Sequence, residues 1–151
     1  MAAVLGEVRR EYVEQARTLH AGRRPAPELL LQHALGFAES VGSHPDHARL
    51  WLEWSSALRE DTWPSYVGFE SEVVGVIAAT LRRGQREGTI ARDVAPEDGA
   101  RIAIGAAHMI ARMRLGGWAA PEVDRFAGSL VRALVGGLAP RAPQGYEPVR
   151  S

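Results

Sequence analysis

The chain has 151 residues with 18 basic and 18 acidic side chains, and every basic residue is Arg. A formal net charge of zero argues against free-standing nucleic-acid binding, because counterion release from phosphates needs a basic surface. With no cysteine, disulfides, thiolate chemistry and zinc–thiolate centres are excluded; with no apolar run long enough to span a bilayer, a single cytoplasmic domain is expected, with no membrane association.

The first helix is expected over 2–20, where Leu5, Val8, Tyr12, Ala16 and Leu19 form one apolar stripe opposite Arg and Glu. Its charged start, Glu7 to Glu11, does not fit a secretory leader. A second helix over 27–41 carries Leu30, Ala34, Phe37, Ala38 and Val41, with Gly42 as its stop. Ser43 and Asp46 are spaced as a capping pair, with Pro45 in the first turn of a third helix that holds Leu50, Trp51, Trp54 and Leu58. Thr62 is placed to cap a fourth helix over 63–87, which ends at Gly88. Gly68, Gly75 and Gly84 each cost that helix about 1 kcal/mol relative to Ala. They mark either a close approach or bend, or simply a Gly-rich composition.

Helix five starts at Pro96, with Glu97 and Asp98 near the positive end of its dipole, and stops at Gly116-Gly117. Helix six opens at Pro121-Glu122 and runs to Leu138. The segment 139–151 is Pro-rich and aperiodic, as expected of a disordered tail. The fold class is therefore all-α: a six-helix bundle over 1–138 followed by a tail.

Helix five is apolar on two sides. Ala100, Ala103, Ala107 and Ile110 point one way; Ile102, Gly105, Met109 and Met113 point another. Helix six carries Phe126, Leu130 and Leu134 on its main stripe, with Val131 beside it. Small residues permit close helix approach, so Ala100, Ala103, Ala107, Ile110, Phe126, Leu130, Val131 and Leu134 are the expected interface of a two-fold homodimer. The alternative is a hairpin buried inside a monomer.

Trp51, Trp54 and Trp63 crowd one short stretch. Each buries a large ring and carries an N–H that wants a partner, which suits either a cavity wall or ordinary core. Catalytic and metal motifs are weak. His44-Pro-Asp-His47, with His33 nearby, lacks the three or four converging ligands of a zinc site. His108 reads as core, interface or pocket. Glu53 and Glu70 have no accompanying nucleophile, and neither a phosphate loop nor a nucleophile elbow occurs. No enzyme activity, metal or cofactor is expected.

Six helices, the segment Arg83-Gly84-Gln85-Arg86-Glu87-Gly88-Thr89-Ile90 and the opening Pro96-Glu97-Asp98-Gly99-Ala100 together resemble the C-terminal domain of TetR-family transcriptional regulators. Leu50-Trp-Leu-Glu-Trp-Ser-Ser-Ala-Leu-Arg-Glu-Asp-Thr-Trp-Pro64 is similar to the tryptophan-rich stretch of the Vibrio quorum-sensing master regulators in that family. There, a Trp-Phe-Glu-Trp-Ser run precedes Arg, an acidic pair and Trp-Pro. The resemblance implies a ligand-sensing domain that dimerises through its last two helices. By position it implies a cavity lined by Trp51, Tyr66, Glu70 and Ile77, to which Trp54 and Met109 are added as expected walls for a small, partly apolar effector. Glu70 departs from the pattern, where an amide stands; a carboxylate favours a cationic or hydrogen-bond-donating guest, or pairing with an internal Arg such as Arg112. The three-helix DNA-binding head of the family is not found in residues 1–151, so operator DNA is expected to be reached only through a head absent from this chain. A different reading is a headless interaction module that pairs with another regulator, its interior filled by side chains.

Overall fold

The computed structural model describes residues 2–58 and 61–137. They form α1 (Ala2–His20), α2 (Ala26–Ser43), α3 (Pro45–Ser56), α4 (Trp63–Glu87), α5 (Pro96–Leu115) and α6 (Ala120–Gly136). The all-α class is as expected, and no strand occurs among the described residues. None of their helices is long and apolar enough to cross a membrane. The expected end of helix six at Leu138 and the segment 139–151 lie outside the described residues.

Five of the six helices, α2 to α6, carry Pro at the first or second helical position, where the missing N–H has no intrahelical role. Neither expected side-chain cap forms. Ser43 lies inside α2 and its hydroxyl donates to Glu39 O at 3.1 Å, leaving His44 as the residue before α3. Thr62 precedes α4 but makes no capping hydrogen bond, and its Oγ1 is buried without a partner. Gly42 is not a stop either: α2 continues through it to Ser43. The Arg114 guanidinium lies against Gly42 where a Cβ would sit, and its Nε donates to Ala38 O at 3.2 Å. The chain leaves α2 at His44 because Pro45 supplies no N–H to continue it. α3 stops at Ser56, so Leu58 falls beyond the helix and is 78% exposed.

α2 is the central rod and touches all five other helices, whereas α6 packs only on α2 and α5 among the described elements. The core between them contains Val8, Leu29, Val41, Leu81, Ile110 and Leu134, all fully buried. Truncating any such Leu or Ile to Ala typically costs about 2–5 kcal/mol.

Candidate binding cavity

The bundle does not close completely. A cavity of about 80 Å³ lies between the helices, and all six contribute to its wall.

Two aromatic clusters bound it. Tyr12, Phe37 and Trp51 pack edge to face, with ring centroids 5.4–5.9 Å apart. Tyr66 and Phe69 form the second, 6.0 Å apart. The registers follow from helical geometry. Tyr66, Glu70, Val73 and Ile77 recur every three or four residues along one face of α4, as Leu30, His33, Ala34 and Phe37 do on α2. Aliphatic wall comes from Ile104 and Ala107 of α5 and Leu130 of α6.

Polar groups in the wall are few. The Tyr66 hydroxyl donates to Glu70 Oε2 at 2.9 Å. Burial, and then the Glu70 hydrogen bond and charge, hold the Tyr66 phenol above its ordinary range, against a smaller downward pull from Ser55. Glu70 itself forms no ion pair among the described residues. Arg112, expected as its potential partner, is exposed on the outside of α5.

His33 ends a half-buried relay: Thr80 Oγ1 lies 2.8 Å from His20 Nδ1, and His20 Nε2 lies 2.9 Å from His33 Nδ1. Burial pushes His33 from 6.5 down to about 4, helped by the adjacent His20. His20 is likewise lowered to about 4 by burial and then by the Arg83 charge. Both imidazoles are therefore neutral at pH 7. Each needs one nitrogen as donor and one as acceptor, a requirement the relay meets in either direction.

Of the residues expected to line a cavity, Trp51, Tyr66, Glu70 and Ile77 lie together around it. Trp54 does not. It is buried behind the wall, stacked on Phe69 at 5.3 Å and edge-on to Tyr66, so it supports the wall from the far side. Met109 does not line it either, being 44% exposed on the opposite face of α5. Trp63 is half-exposed and stacks on Tyr66. The indole N–H groups of Trp51 and Trp54 are buried without hydrogen-bond partners, an arrangement that costs about 1–3 kcal/mol per group.

The expected dimer residues also divide. Ala100, Ile110, Val131 and Leu134 are buried within the single chain and are not available to a partner. Ala103, Ala107 and Leu130 border the cavity. Phe126 is half-buried. Of the other side of α5, Ile102, Gly105 and Met109 are exposed, whereas Met113 is buried. The reason is rotational: α5 turns its small-residue side inward to let α4 and α2 pack closely, as at Gly99, where a Cβ would stand 2.8 Å from Leu81 Cδ1.

Sequence reasoning passed over Tyr12, Gln15, Phe37 and Phe69, and took His33 only as a potential metal ligand. Its position on the α2 stripe between Leu30 and Phe37 was the available signal. His44 and His47 lie elsewhere, their rings stacked at 5.4 Å, with His47 Nδ1 2.6 Å from Glu11 Oε2. The His108 Nδ1 bonds Ile104 O at 2.8 Å while its ring lies 4.1 Å from Trp51, bracing that indole from behind. No group of three metal-ligating side chains converges among the described residues. No protein-family model matches the chain, and no curated protein sequence matches it.

Proposed function

We propose that this chain is the ligand-sensing and dimerisation domain of a TetR-type transcriptional regulator, binding a small, partly apolar effector rather than transforming it. The observation that carries the reading is the aromatic-walled cavity enclosed by all six helices, with Trp51 and Tyr66 in its wall. Natural interiors are packed with few voids larger than a water molecule, so retained space beside several rigid rings is a reason to look for a guest. Because the guest would touch every helix, its binding is positioned to favour one arrangement of the bundle over another. Coupling to DNA affinity then requires only that two dimer arrangements differ in their affinity for the effector. Operator contact itself belongs to a head outside residues 1–151.

Tryptophan fluorescence and calorimetry of the full chain against a panel of small apolar and amphipathic compounds test the reading. Saturable binding by at least one class, weakened about tenfold or more by Trp51→Ala, is the expected result. No binding across the panel, or binding unchanged in Trp51→Ala, would favour the interaction-module alternative. Residues 1–151 alone are expected to leave operator-containing DNA unshifted in a mobility assay, and a specific shift would count against the scheme.

A further inference from the structure

The charge distribution around the cavity is lopsided. Among its lining residues Glu70 is the only one carrying a formal charge, and His33 is the only other ionisable group besides two tyrosines. The carboxylate has one oxygen occupied by the Tyr66 hydroxyl and forms no ion pair with a cation among the described residues. His33 does not become that cation near neutral pH, since burial and its contact with His20 disfavour the charged ring. A half-buried carboxylate beside apolar surface is stabilised by any positive charge brought close to it. The surrounding rings add to this, because aromatic quadrupoles attract cations most strongly where water is excluded.

We propose that the cavity selects lipophilic monocations, amines or quaternary ammonium ions, with Glu70 as the counter-charge and Tyr12, Phe37, Trp51, Tyr66 and Phe69 as the aromatic surround. This rests on the cavity being a ligand site and goes further by naming the class of guest. Anionic guests are disfavoured: no Arg lines the wall among the described residues, and the Glu70 carboxylate repels them. Neutral guests gain the apolar contacts but leave the carboxylate unpaired. Tyr66 acts as a positioning residue, its hydroxyl holding the carboxylate at the α4 face while the second oxygen remains for the guest.

Three isosteric probes isolate charge from shape: choline, the neutral 3,3-dimethylbutan-1-ol and the anionic 3,3-dimethylbutanoate. Calorimetric titration of the intact chain is expected to give choline an affinity at least about tenfold above that of the alcohol, with the carboxylate weakest. In Glu70→Gln the preference for the cation over the alcohol should shrink several-fold to whatever the rings alone supply, whereas Tyr66→Phe should retain it because the carboxylate remains. Thermal melts establish that each variant is folded, and the ratio in the unmodified chain stands as a test even where a variant is not. An alcohol affinity equal to or above that of choline overturns the proposal while leaving the cavity as a binding site. A cation preference that is undiminished in folded Glu70→Gln overturns the assignment of the counter-charge. Silence of all three probes, together with silence of the wider apolar panel, removes the binding site and the proposal with it.

Discussion

The pair His20–His33 concentrates the polar cost of this interior in two rings. With both pushed from 6.5 to about 4, the folded chain binds fewer protons than the unfolded chain throughout that interval. By linkage, the contribution of the neutral pair is fully present above about pH 6.5 and is lost as pH falls toward 4. Melting temperature is expected to be flat between pH 7 and 8 on this account and to fall on acidification. Carboxylates add their own loss at the acid end, so the diagnostic is a comparison: His33→Gln should have a shallower decline between about pH 6.5 and 5 than the unmodified chain. An identical slope in the two proteins would show that the relay is not charged on unfolding. Nothing local in the sequence signals this relay, because Thr80, His20 and His33 come from three different helices and meet only through tertiary packing. Trp51, Tyr66, Glu70 and Ile77 were expected around a cavity from the family resemblance and not from local pattern. The spacing of Tyr66, Glu70 and Ile77 does put those three on one stripe of α4, but spacing alone does not say that the stripe borders a cavity.

At the scale of a helix, α4 shows how one residue type takes opposite roles. Gly68 and Gly75 face open space, with no atom within 4 Å of a would-be Cβ, while at Gly84 a Cβ would lie 2.8 Å from Ala26 Cβ and closer still to the Ile90 side chain. The carbonyl of Gly84 also accepts from the Thr89 and Ile90 amides at 2.8 and 3.2 Å, folding the chain back against the helix end. Gly75→Ala should therefore raise stability by about 0.5–1 kcal/mol through backbone entropy and helix propensity. Gly84→Ala gains the same propensity but meets an overpacking penalty of about 1–3 kcal/mol, so its net effect should be destabilising. Urea unfolding monitored by circular dichroism reads both signs. Periodicity and proline placement were sufficient to locate the helices to within a few residues, since each has a strong apolar stripe. The caps at Ser43 and Thr62 and the stop at Gly42 were misread because tertiary contacts, such as Arg114 over Gly42, decide those positions and local residue preference does not.

For the molecule as a whole, the unresolved geometric question in a two-sided apolar helix is which side faces in. Both sides of α5 have the same period, and only packing against α2, α4 and α6 selects one. That selection leaves Ile102 and Met109 exposed on α5, with half-buried Phe126 on the adjacent α6, as the apolar surface available to a second copy. A two-fold interface would present each substituted residue twice, so one new charge per chain becomes two at the contact. On the proposed homodimer, the native chain is expected to sediment as a dimer at micromolar concentration and Met109→Glu as a monomer. The monomer's own fold should change little, because exposed substitutions usually shift stability by less than about 0.5 kcal/mol. Leu134→Ala is the contrasting variant: that side chain is buried inside the chain, so it should lower the unfolding free energy by about 2–5 kcal/mol without selectively dissociating the pair. A native chain that sediments as a monomer, or a Met109→Glu protein that remains paired, would remove this face as the site of self-association.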